Sequence, residues 1–92
     1  MPYTIKTASA RVEKQLAAIP ERDRSRVVAR IRALSNQPRP KGAKALAANV
    51  YRLRIGRYRV IYKVFEKEEA VLLGKIAPRT ERTYKDLESL FE

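Results

Sequence analysis

The sequence predicts a small α+β domain, a mainly antiparallel sheet packed with an N-terminal helical hairpin and a C-terminal helix, in the order β-α-α-β-β-β-α. Three observations carry this expectation. The stretch 50–64, Val-Tyr-Arg-Leu-Arg-Ile-Gly-Arg-Tyr-Arg-Val-Ile-Tyr-Lys-Val, alternates apolar and basic residues on both sides of Gly56, the pattern of two strands joined by a tight turn. The stretch 10–34 repeats apolar residues at helical spacing on both sides of Pro20. The chain has 92 residues, 45% of them hydrophobic, enough for one core and one domain over 1–92, and no internal repeat or linker divides it.

The elements follow in order. Tyr3–Lys6 alternates and reads as a short strand. Thr7 or Ser9 is placed to cap a helix in which Val12, Leu16 and Ile19 form one apolar stripe. Pro20 breaks that helix and suits the first turn of the next, where Glu21 and Asp23 meet the positive end of the helix dipole. Val27, Ile31 and Leu34, with Val28 beside them, form the second buried stripe, and Arg24, Arg26, Arg30 and Arg32 lie off it. Residues 36–42, with two prolines and a glycine, form a loop, and Ala43–Ala48 is expected to make a helical turn around Leu46.

In the hairpin, side-chain alternation sends Tyr51, Leu53, Ile55, Tyr58, Val60, Tyr62 and Val64 to one face, with the three tyrosines in the core. Arg52, Arg54 and Arg59 gather on the other face. Glu66–Glu69 reads as a solvated turn, and Ala70–Ala77 as a central strand with both faces partly covered. Pro78 and Arg79 end that strand. Thr80 is expected to cap a last helix with Tyr84, Leu87 and Phe91 on one side, and periodicity alone makes Tyr84 a core residue.

The formal net charge is +11, and its distribution is more informative than its size. Between Arg24 and Phe65 there are twelve positive residues and no carboxylate. Such a field attracts nucleic acid or an acidic protein. There is no histidine and no cysteine, which removes the commonest general base, thiolate nucleophile and metal ligands. The three glycines are isolated, so no phosphate-cradling loop is present, and no metal or cofactor is expected. The N-terminus lacks a signal-peptide core and no apolar run spans a membrane, so a cytoplasmic protein is expected.

Arginine, lysine and tyrosine remain, and these suffice for phosphodiester cleavage in RNA. There the attacking group is the substrate's own 2′-hydroxyl, and the transition state gains negative charge on non-bridging oxygens. A fixed guanidinium aimed at that charge contributes on the order of 3 kcal/mol, and its two parallel donors fix geometry as well.

The hairpin Tyr51-Arg-Leu-Arg-Ile-Gly-Arg-Tyr-Arg-Val-Ile-Tyr62 resembles the signature of the RelE/ParE toxin superfamily. The likeness extends over nearly the whole chain, through the helical hairpin, the Lys44-Ala-Leu46 element and the Pro78-Arg79 end of a strand before a tyrosine-bearing segment. It implies a type II toxin. A RelE-type member would be a ribosome-dependent endoribonuclease that cleaves mRNA in the A site, with Arg59 and Arg79 stabilising phosphate, Arg52 in place of an active-site lysine, and Tyr84 orienting or deprotonating the 2′-hydroxyl. Lys44 matches a basic residue ahead of the hairpin, and Lys41, Arg54 and Arg57 extend the phosphate-binding surface. A second active-site lysine of that branch falls at Val50, and arginine does not readily lose a proton, so neither position supplies a general base.

The resemblance also implies partners: a cognate antitoxin, acidic and folding on binding, through which the complex binds operator DNA, and, for a RelE-type member, the 70S ribosome with its mRNA and rRNA. The alternative branch, ParE-like, inhibits DNA gyrase without catalysis. A plain RNA-binding module is a third reading, with no aromatic stacking platform evident to support it.

Overall fold

The computed structural model describes residues 2–81 and 87–91. Five strands form one sheet in the order β1-β5-β4-β3-β2. These are β1 (Thr4–Thr7), β2 (Lys44–Ala47), β3 (Val50–Ile55), β4 (Tyr58–Phe65) and β5 (Ala70–Pro78). β1 runs parallel to β5, and every other pairing is antiparallel. Two helices, α1 (Ala10–Ala17) and α2 (Glu21–Ala33), pack on one face, α1 against β5 and α2 against β3. A 3₁₀ segment, Leu87–Phe91, lies against β5. Among the described residues no helix is long and apolar enough to cross a membrane.

The core is built where the periodicities place it. Val12 and Ile19 from the first helical stripe, and Val27, Ile31 and Leu34 from the second, meet Leu53, Ile55, Val60, Tyr62, Val64, Val71, Leu73 and Ile76 from the sheet. Each fully buried aliphatic side chain contributes about 1.5–3 kcal/mol. Tyr51, Tyr58 and Leu16 are partly buried at the edge of this cluster. Tyr62 is fully buried, and its hydroxyl donates to the Pro38 carbonyl at 2.7 Å, so the loop before β2 is held by a core residue.

Local chemistry explains the joins. β3 and β4 are linked by two residues, Gly56 and Arg57, because Ile55 pairs with Tyr58. Gly56 has φ +58°, a left-handed conformation that glycine adopts without a Cβ penalty. Ser9 stands at the N-cap of α1 without a side-chain capping bond, while the Thr7 hydroxyl donates to the Glu13 carboxylate at 2.9 Å. β1 ends opposite Leu73, and beyond it the Ile76 amide donates to Gln15 Oε1 of α1 at 2.8 Å.

Two expectations are corrected. Residues 44–47 form strand β2 where a helical turn was expected. Alanine favours a helix, but pairing of Lys44 with Arg52 and Ala45 with Tyr51 satisfies the open edge of β3 and overrides local preference. In the expected last helix, Leu87–Phe91 is 3₁₀. Its three-residue turn stacks half-buried Leu87 and Leu90 on one side, and Leu90 and Phe91 reach Gly74. The part of that helix bearing Tyr84 lies outside the described residues. Residues 66–69 form the exposed turn that was expected; within it Glu66 accepts a hydrogen bond from the Tyr3 hydroxyl at 2.7 Å and forms an ion pair with Arg39.

Candidate functional site

Strand register assembles a basic surface on the sheet face opposite α1 and α2. Lys44, Arg52, Ile61 and Lys75 stand in one row across β2, β3, β4 and β5. Arg54, Arg59 and Ala77 form the next row. Arg54 and Arg59 are directly paired, as are Lys44 and Arg52. Like charges placed opposite each other destabilise a sheet, so this arrangement has an energetic cost unless an anion meets it.

The environments of these cations differ. Arg54 and Lys44 are exposed, and Arg52 is half-buried. Arg59 is 9% exposed, and its Nη1 donates to the Glu81 carbonyl oxygen at 3.2 Å. The Glu81 carboxylate is paired with Lys75. The chain beyond β5 therefore folds back so that one residue, Glu81, meets both Arg59 and Lys75. The Arg79 amide donates to the Arg57 carbonyl at 2.7 Å, which fastens the end of β5 to the hairpin loop.

The structure thus brings together Arg52, Arg54, Arg59 and Lys44 on one surface; Arg79 is exposed just beyond β5, its amide held by the hairpin loop. It does not bring Arg57 or Lys41 onto that face. Exposed Arg57 lies in the two-residue loop and lines a cavity toward α2. Exposed Lys41 sits in the turn before β2, where the Ala43 amide bonds the Pro40 carbonyl. Tyr84 lies outside the described residues. Lys75 and Glu81 join the site without having been expected there. Lys75 had a sequence signal, as the one charge in the otherwise apolar run 70–77. Glu81 had none beyond lying two residues after Arg79.

The described tyrosines of the hairpin serve the other face. Burial pushes the Tyr62 hydroxyl up to about 12, which suits a neutral donor to Pro38 and excludes a base near neutral pH. Tyr51 stacks on Tyr62 with ring centres 5.8 Å apart and accepts a hydrogen bond from Arg39 Nε at 2.7 Å. Arg39 in turn pairs with Glu66, so Tyr3, Glu66, Arg39 and Tyr51 form one chain of contacts.

Comparison with known families decides the affiliation. A family model described as the ParE toxin of type II toxin–antitoxin systems matches residues 6–83. The chain belongs to this toxin family. Solved structures agree on the RelE/ParE superfamily. A chain of the RelBE2 toxin–antitoxin complex from Mycobacterium tuberculosis superposes with TM-score 0.75 at 25% identity, covering 88% of this toxin and 95% of that chain. A chain of the archaeal RelE–RelB complex from Pyrococcus horikoshii gives 0.75 at 28% identity, covering 89% and 100%. The isolated Escherichia coli RelE toxin gives 0.75 at 18% identity, covering 96% and 95%, a likeness of fold. A comparison with curated proteins finds no match. The protein is therefore a toxin of a type II toxin–antitoxin system, with the RelE-like α+β fold.

Proposed function

We propose that this toxin is a metal-independent, ribosome-dependent endoribonuclease that cleaves mRNA in the A site by attack of the 2′-hydroxyl and so stops translation. The observation that carries the reading is the cross-strand cluster of Lys44, Arg52, Arg54, Arg59 and Lys75 on one sheet face, with exposed Arg79 following the end of β5. In the proposed reaction Arg59 and Arg79 hold the scissile phosphate and stabilise the charge that grows on its non-bridging oxygens. Arg52, Arg54 and Lys44 position the flanking backbone. Tyr84 is assigned the 2′-hydroxyl on the resemblance to RelE-type toxins, whose C-terminal tyrosine it matches, and neutral Tyr62 in the core does not compete for that role. The products are a 2′,3′-cyclic phosphate and a 5′-hydroxyl.

The RelE–RelB complexes among its structural neighbours support a RelB-type antitoxin as partner, with operator binding through that antitoxin, and a cytoplasmic place of action follows from a ribosomal target. A specific observation also favours a second reading, gyrase inhibition in the ParE manner. Arg59 is nearly covered and held by Glu81, whereas a phosphate-binding guanidinium must be reachable. The ribonuclease reading therefore requires the segment at Glu81 to move when substrate arrives.

Purified toxin added to mRNA-programmed 70S ribosomes, and in parallel to gyrase with relaxed plasmid, tests the two. Codon-phased mRNA cleavage with normal supercoiling is expected. Intact mRNA with blocked supercoiling would establish the second reading instead.

A further inference from the structure

A second cationic site lies behind the hairpin loop, on the helix side of the sheet. Arg22, Asp23 and Arg26 of α2 face Gly56, Arg57 and Tyr58 across a cavity of about 410 Å³, with Val27 and Ile55 also lining it. Arg22 and Arg26 are one helical turn apart, so both point to the same side of α2. Arg57 closes on them from the opposite element. Arg26 reaches the loop: its Nη1 would be in ordinary van der Waals contact, at 3.4 Å, with a Cβ built on Gly56. Among the described residues none of the three guanidiniums makes an ion pair, although Asp23 shares the cavity. The lining therefore carries three positive charges against one negative. Val27 and Ile55 are fully buried and Tyr58 is half-buried, which adds an apolar and aromatic wall.

We infer that this cavity binds a nucleotide unit, its phosphate on Arg22, Arg26 and Arg57 and its ribose or base against Tyr58. Arginine forks match phosphate oxygens, and the volume falls in the range of about 300–1,000 Å³ typical of small-molecule sites. The ligand is either a free mononucleotide or one unit of a single strand. The position favours a strand. The pair Arg54 and Arg59 adjoins Ile55 and Tyr58, which flank the loop, so a backbone leaving the sheet face need only round Gly56-Arg57 to enter the cavity. The inference does not depend on whether the toxin acts on mRNA or on gyrase.

The test is titration of ¹⁵N-labelled toxin with uridine monophosphate and, separately, with a hexauridylate lacking a terminal phosphate, followed by amide shifts. Saturable shifts at Asp23, Gly56 and Arg57 are expected. Arg22→Gln/Arg26→Gln should weaken binding by about tenfold or more, through loss of charge-assisted contacts. Arg30→Gln/Arg32→Gln removes equal charge from the same helix and should change affinity by less than about twofold. Loss of both ligands in the first variant supports a strand site, and loss of uridine monophosphate alone a mononucleotide site. Absence of saturation, or equal losses in the two variants, overturns the inference. Asp23→Asn gives a second readout should the double variant not fold: tighter binding supports the site, and unchanged binding overturns it.

Discussion

At the residue scale, a few polar contacts stabilise the fold by amounts that can be measured. Glu66 is held below the usual carboxylate range, first by the Tyr3 hydroxyl and then by Arg39. A depressed folded-state pKa contributes stability above the unfolded pKa, and that contribution is lost as pH falls through the folded value. The thermal midpoint should therefore fall more steeply on acidification through the carboxylate range in the wild type than in Glu66→Gln. Identical acid limbs would show that the contact carries no weight. Tyr62→Phe keeps the core volume but leaves the Pro38 carbonyl without its donor. It should cost about 1 kcal/mol, or roughly 4–8 °C in melting temperature for a domain of this size.

At the element scale, the sequence was most legible where a period meets a covered face. Val12 and Ile19, then Val27, Ile31 and Leu34, went where helical spacing sends them, because one side of each helix meets the sheet. The hairpin register was equally readable, since Ile55, Gly56, Arg57 and Tyr58 fix the pairing of every residue behind them. β2 was not legible. Its Ala-rich sequence favours a helix, and only the unpaired edge of β3, a tertiary fact, makes it a strand. The candidate site divides in the same way. Alternation placed Arg52, Arg54 and Arg59 together, but no local pattern indicates that Glu81 returns to Arg59 and Lys75 or that Arg57 turns toward α2.

The C-terminal 3₁₀ segment supplies a prediction at this scale. A Cβ at Gly74 would lie 2.6 Å from the Phe91 ring, so Gly74→Ala must displace that ring. Because the clash is with the far end of the half-buried Phe91 side chain, the ring should swing aside at little cost in stability. The Phe91 ring resonances should shift while the Tyr62 resonances stay in place. Unmoved Phe91 signals would contradict the contact.

At the scale of the whole molecule, the net charge of +11 and the acid-free stretch 24–65 govern encounters with partners. Long-range attraction of this kind acts mainly on association rates and is screened once the Debye length shrinks to a few ångströms. If the antitoxin is acidic, as proposed, its association should slow by about tenfold or more between low salt and 0.5 M, with a smaller change in dissociation. A salt-independent association rate would mean that apolar docking alone governs the encounter.

The central claim is that the basic sheet face cleaves RNA. Its most direct measurement is the mapping of mRNA 5′ ends after brief induction of the wild type and of Arg59→Ala/Arg79→Ala. New 5′-hydroxyl ends in phase with codons are expected in the wild type. With two phosphate-stabilising guanidiniums gone, each contributing on the order of 3 kcal/mol, they should be reduced by at least about a hundredfold. Undiminished cleavage and full toxicity in the double variant would contradict the assignment, as would growth arrest by the wild type with mRNA left intact.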